Sequence, residues 1–124
     1  MRVVVLEDSA VVLRELELIL RAMGAKLVFT TATADEAMDW FRLNPSAWDL
    51  VVIDLFLASG NGFQLLDICR GRSPAQRAVI LSNYSGSYVR EHALRAGADA
   101  FFDKSFDMEK MVDFCIDFHQ NLKA

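Results

Sequence analysis

Leu50–Val51–Val52–Ile53–Asp54–Leu55–Phe56–Leu57 runs on to Gly60, Asn61 and Gly62. The β-prone apolar residues Leu50 to Ile53 describe a strand buried on both faces, with Asp54 standing where that strand leaves the sheet. A carboxylate in such a place costs free energy unless something uses it. Taken alone, the segment reads equally well as an acid that ends a strand or caps the next turn. The flanking chain separates these readings.

Upstream, Arg2–Leu6 is a short β-branched run that ends in Glu7 and Asp8, repeating the pattern of strand followed by acid. Ser9 can cap a helix from Ala10 to Met23, with Val12, Leu13, Leu16, Ile19, Leu20 and Met23 at helical spacing and Gly24 placed to stop it. Lys26–Thr31 is a second strand. Thr33-x-x-Glu36 is a capping-box signature for a helix through Ala37, Met38, Trp40 and Phe41 that ends before Pro45, and Asn44–Trp48 is connection. Downstream, Gly60 and Gly62 make a permissive loop before a helix carrying Phe63, Leu65, Leu66, Ile68 and Cys69, which finishes near Gly71 and Pro74. Ala78–Leu81 is the fourth strand and ends at Ser82. Ser85–Ser87 leads into a helix that reaches Ala96 and stops at Gly97. Ala100–Phe102 is a fifth strand ending at Asp103 and Lys104. Asp107 can cap a last helix whose apolar positions are Met108, Met111, Val112, Cys115, Ile116 and Leu122.

Strand and helix alternate with short connections and no internal linker or repeat, the pattern of a parallel sheet covered on both faces. A closed barrel needs about 250 residues, so a chain of 124 residues predicts one domain over 1–124: an open, doubly wound, five-stranded α/β sheet of flavodoxin-like order 2-1-3-4-5. Ligands of such sheets bind outside the carboxyl ends of the strands, between the first and third. Those strands end in Glu7–Asp8 and Asp54. The composition, 53% hydrophobic with a net charge of −4, gives no basic footprint for nucleic acid. No apolar run is long enough for a membrane span, and acids arrive too early for a secretory signal, which predicts a cytoplasmic protein. Cys69 and Cys115 lie far apart without metal-ligand spacing and read as buried free thiols.

Acids converging on one crevice repel, and the usual resolution is a divalent cation on oxygen ligands or a raised pKa on one acid. No histidine or cysteine stands at these strand ends, so Mg²⁺ is the expected cation; the bland alternative is solvated loop acids. With Lys104 as a fixed charge and Ser82 as a hydroxyl, the edge suits a phosphoryl group, and Asp54 can act as its nucleophile.

At this point the sequence resembles a known family. Glu7–Asp8, Asp54–Leu55 with Gly62 beyond, Ser82, and Ala96–Gly97–Ala98 leading to Phe101 and Lys104 are similar to the receiver domain of bacterial two-component response regulators, over essentially the whole chain. The resemblance implies that Asp54 takes a phosphoryl group from the phosphohistidine of a sensor histidine kinase or a histidine phosphotransfer protein. It implies Mg²⁺ held by Glu7, Asp8, Asp54 and the backbone carbonyl of Phe56, with Lys104 and Ser82 on the phosphoryl oxygens. Phe101, at the aromatic switch position, would turn inward and reshape the surface of the fourth helix, fifth strand and fifth helix, where a downstream protein or a second copy would dock. Tyr88, Phe114 and Phe118 enrich those elements in apolar surface, which also reads as plain packing. His92 and His119 fall on helices away from the strand ends and read as solvated or structural.

Three positions depart from the family pattern. Ser105 follows Lys104 where proline is usual, which predicts a strained loop or a differently aimed lysine. Asn83 follows Ser82 where a small residue is common, narrowing donor access, and Ala58 replaces a frequent proline, loosening the loop after Asp54. Other functions fit less well. A flavin carrier needs Gly, Ser and Thr amides where Glu7 and Asp8 stand, and a phosphatase needs an acid where Phe56 stands, so aspartyl-phosphate hydrolysis should be slow. A phosphate-independent interaction module should lack a site group, and none is missing. The chain reads either as a stand-alone domain signalling through a partner or as the receiver of a longer DNA-binding regulator.

Overall fold

The computed structural model describes residues 1–57, 59–84 and 86–122. In chain order the elements are β1 (Arg2–Leu6), α1 (Ala10–Ala22), β2 (Lys26–Thr31), α2 (Ala34–Leu43), β3 (Leu50–Ile53), α3 (Gly62–Cys69), β4 (Arg77–Ser82), α4 (Ser87–Arg95), β5 (Ala100–Asp103) and α5 (Met108–Leu122). All paired strands are parallel, in the order β2-β1-β3-β4-β5. The doubly wound sheet expected from the sequence is therefore present.

The apolar runs are continuous because helices cover both faces, and the two-residue period sorts each strand between two cores. Val4, Leu6, Val51, Ile53, Ala78, Ile80 and Phe101 pack beneath α2, α3 and α4. Val3, Val5, Leu50, Val52, Val79, Leu81 and Phe102 pack against Leu16 and Leu20 of α1 and Met111 and Cys115 of α5. Rows of β-branched and aliphatic side chains thus fix the register. In that register Leu6 stands beside Ile53, and Ser82 beside Asp103, at one end of the sheet.

Caps show where local chemistry differs from expectation. Ser9 caps α1 through Val12 N, as its position suggests. Thr33 caps α2 through Glu36 N, but the expected reciprocal bond is replaced: Glu36 accepts from Thr31 Oγ1 at 2.8 Å, and Thr33 N turns to that same hydroxyl. The full capping box belongs instead to Asn61 and Gln64 at α3. At α5, Asp107 begins the helix with its carbonyl, accepting from Met111 N, while its carboxylate turns back to Asp103 N. Ile116 and Leu122, expected in the core, are each 37% exposed. The buried stripe of α5 is instead Met111, Cys115 and His119, so His119 is a structural residue. Ala58 and Ser85, whose loop and helix-entry roles were anticipated, lie outside the described residues.

Both thiols are free and buried, and desolvation pushes Cys69 and Cys115 each up to about 12. At pH 8 only about one thiol in 10⁴ would be thiolate, the reactive form. Neither cysteine should react with a disulfide reagent in native buffer over the time needed to label a free cysteine, whereas both should react in urea. Rapid native labelling would mean that one core face opens.

Candidate functional site

Four strand ends deliver the expected side chains to one place. Glu7 and Asp8 follow β1, Asp54 follows β3, Ser82 closes β4 and Lys104 follows β5. Glu7 and Asp54 are 3% and 5% exposed, Ser82 is fully buried, and Asp8 faces solvent. One carboxylate oxygen each from Glu7, Asp8 and Asp54 lies within 4.8 Å of the others. Lys104 Nζ stands between two of these acids, 2.6 Å from Glu7 Oε1 and 3.1 Å from Asp54 Oδ2.

Backbone amides aim the acids. Ser9 N donates to Glu7 Oε2 at 2.9 Å and Phe56 N to Asp54 Oδ1 at 3.2 Å. Asp54 N is itself held by Leu6 O at 2.8 Å, which locks the end of β3 to β1. The loop after Asp54 folds back closely: Gly62 N donates to Leu55 O, and a Cβ on Gly62 would come within 2.6 Å of Asp54 O. Burial raises the pKa of Glu7 above the ordinary carboxylate value, against the opposing pull of Lys104 and Ser9 N. Burial likewise works against the charge on Lys104, yet hydrogen bonds and charge from Glu7 and Asp54 keep its pKa above the usual lysine value.

The donor set fits a hard divalent cation. It is all oxygen, and with the acids ionised, three carboxylates against one ammonium leave two negative charges. Ser82 Oγ accepts from Tyr84 N at 3.0 Å, and its own O–H remains a donor. Phe56 contributes its N–H, and its half-exposed ring lies 4.9 Å from that of Tyr84. Phe101 is buried in the core beneath α4, with the Arg90 guanidinium 4.9 Å above its ring. Asn83 is exposed beside the buried Ser82. His92 packs on Phe63 and Tyr88, away from the strand ends.

Ser105 was expected to strain the loop or misdirect Lys104. All peptide bonds among the described residues are trans, and Lys104 nevertheless reaches both acids. Asp103, read from the sequence only as a strand end, accounts for this: its Oδ1 accepts from Ser105 N at 2.6 Å and Phe106 N at 3.1 Å, an Asx turn around the lysine. Arg90 and the carboxylate of Asp107 complete this loop and were also missed. A short polar link opening on Asp was the available signal.

Three clustered acids and a lysine thus stand at the carboxyl edge of a flavodoxin-like 2-1-3-4-5 sheet. The family model described as "Response regulator receiver domain" matches residues 3–115, and the chain belongs to that family. It is 28% identical over 112 residues to the cell cycle response regulator CtrA of Brucella ovis, which covers 90% of this chain and 47% of that protein. The chain thus spans about half the length of the curated relatives it matches. Among solved structures, CheY in a CheX–CheY–BeF₃–Mg²⁺ complex from Borrelia burgdorferi aligns with TM-score 0.82 at 21% identity, covering 91% of this chain and 84% of that one. A two-component response regulator of the LuxR family from Aurantimonas aligns with TM-score 0.77 at 30% identity, covering 90% and 79%.

Proposed function

We propose that Asp54 accepts a phosphoryl group from the phosphohistidine of a sensor histidine kinase or histidine phosphotransfer protein. The observation that carries this reading is Lys104 Nζ, 3.1 Å from Asp54 Oδ2 within the cluster of Glu7, Asp8 and Asp54. An Asp54 oxygen attacks phosphorus, the N–P bond of the donor breaks, and the leaving imidazole retains the electron pair and takes up a proton. Mg²⁺ held by Glu7, Asp8, Asp54 and the carbonyl of Phe56 would neutralise charge on the transferring oxygens. Lys104 contacts a phosphoryl oxygen and Ser82 donates its hydroxyl to another. The product is an aspartyl phosphate. Phe56 places no acid or base on attacking water, so hydrolysis is slow.

The signal leaves through the face built from α4, β5 and α5, where Ser82 and Phe101 act as switch residues and a downstream protein or a second copy docks. The domain works in the cytoplasm without direct nucleic-acid contact; no described helix is long and apolar enough to cross a membrane. A second reading is the receiver of a longer DNA-binding regulator; the 47% coverage of the CtrA relatives supports its length alone.

The test is intact mass after incubation with acetyl phosphate or phosphoramidate, with and without Mg²⁺, for the wild type and Asp54→Ala. A single hydroxylamine-labile, Mg²⁺-dependent adduct absent from the variant is expected. A folded, Mg²⁺-binding protein that takes no phosphoryl group from these donors or from phosphorylated kinase would overturn the reading and leave a phosphate-independent interaction module.

A further inference from the structure

Lys104 sits in the four-residue link Lys104–Asp107 between β5 and α5, and little packing holds that link. Ser105 is exposed and the Phe106 ring is 85% exposed, so neither anchors the turn in a core. Its geometry is set by hydrogen bonds. Lys104 N donates to Ser82 O at 2.9 Å. Beyond that single tie, the buried carboxylate of Asp103 gathers Ser105 N and Phe106 N on one oxygen. Asp107 closes the turn in both directions, its Oδ2 accepting from Asp103 N and its own N–H donating to Asp103 O, each at 2.9 Å. Arg90 of α4 backs the arrangement, with Nη2 3.5 Å from Asp107 Oδ2 and Nη1 donating to Phe101 O at 3.1 Å.

We infer that Asp103, backed by Asp107 and Arg90, is a positioning residue that aims Lys104 at the phosphoryl site. Ser105 and Phe106 give the turn no core anchor, so loosening it would let the backbone draw Lys104 off its place between Glu7 and Asp54, and an ammonium that must be recruited at each encounter stabilises a transition state less than one already in place. Asp103 is the last residue of β5, one before Lys104. It acts through the backbone on either side of Lys104. The inference rests on the reading of Asp54 as phosphoryl acceptor, and its test has one arm that does not need phosphorylation.

The full chain is compared as wild type, Asp103→Ala, Asp103→Asn, Lys104→Ala and the Asp103→Ala/Lys104→Ala double variant. At saturating Mg²⁺ and acetyl phosphate, Asp103→Ala should be phosphorylated about tenfold more slowly. Asp103→Asn should stay within about twofold of wild type, because an amide oxygen still accepts both N–H groups. In the Lys104→Ala background, Asp103→Ala should cause no further loss, since the two changes act through one group. Mg²⁺ affinity by calorimetry should stay within about twofold for Asp103→Ala, because no ligand is moved. The second arm follows the Lys104 ammonium resonance by ¹⁵N NMR: slowly exchanging in wild type and Asp103→Asn, broadened or shifted in Asp103→Ala.

An Asp103→Ala protein with the wild-type rate and an unchanged Lys104 signal would overturn the inference, as would an equal slowing by Asp103→Ala with and without Lys104. If Asp103→Ala does not fold, Asp103→Glu replaces it in both arms. Its longer arm cannot close the same turn, the same tenfold loss is expected, and a wild-type rate would overturn the inference. A wild type that takes no phosphoryl group, yet shows the expected ammonium pattern, would sink the Asp54 reading and leave the positioning role standing.

Discussion

Lys104→Met should lower the rate of phosphoryl capture by about 10²–10³-fold, the scale expected when one preorganised charge is removed from a transition state. The same change should destabilise the metal-free fold. Lys104 is the cation between Glu7 and Asp54, and its side chain and theirs are 8%, 2% and 6% exposed. Removing one partner from so buried a set typically costs about 3–5 kcal/mol, because the remaining charges stay desolvated. Mg²⁺ should restore much of that loss, since a ligand binding only the folded state adds stability with its concentration. The pH dependence has a definite sign. Glu7 already has a folded pKa above its unfolded value, so it binds a proton more tightly in the folded state, and stability falls as pH rises through that window. Without Lys104 to oppose burial, the window widens upward. Urea denaturation at about pH 4.5 and about pH 7.5, the first near the ordinary Glu value of about 4.3 and the second well above it, with and without Mg²⁺, measures both effects. A variant with the wild-type midpoint under all four conditions would contradict the pairing described here.

Gly62→Ala should be nearly as damaging, for a steric reason. Its Cβ would meet Asp54 O and Ile53 Cγ2 at 2.6 Å each and Leu55 Cα at 3.0 Å. Two of these atoms are backbone of the segment that carries the acceptor, so relief requires moving Asp54 itself. Overpacking of this kind costs about 1–3 kcal/mol, and the upper end is expected because no flexible side chain can yield. Gly71→Ala is the control: a Cβ there meets nothing within 4 Å. The urea midpoint should fall for Gly62→Ala and stay within about 0.5 kcal/mol of wild type for Gly71→Ala. Phosphorylation should slow only in the former. Equal midpoints would show that α3 can shift away from β3 without cost.

The strands were legible because burial on both faces turns them into unbroken apolar runs, and the acids were legible because each ends such a run. Glu7, Asp8, Asp54, Ser82 and Lys104 converge as the strand order requires. What escaped is side-chain choice among near-equivalent partners. Thr33-x-x-Glu36 has capping-box spacing, but the Thr31 hydroxyl competes for Glu36. The box belongs to Asn61, set between Gly60 and Gly62, with Gln64 beyond them. On α5 the apolar positions exceed what one face can bury, so periodicity alone could not rank His119 above Ile116 and Leu122. Asp103 ends β5 as its position suggests, and its Asx turn is not legible in the sequence because it depends on backbone geometry beyond the residue itself.

Arg90 and the register of β2 bear on how this sheet meets other molecules. An open parallel sheet exposes two edge strands, each offering unpaired backbone groups to any extended chain. On β2 the pairing with β1 slips, Val3 facing Leu27 and Val4 facing Phe29, so Val28 is left over as a bulge that spoils a regular ladder. On β5 the Phe101 carbonyl is already occupied by the Arg90 guanidinium. Both margins therefore offer a less regular template for strand addition than an unbroken edge would. A protein that settles beside β5 must read side chains, because part of the main chain there is already engaged.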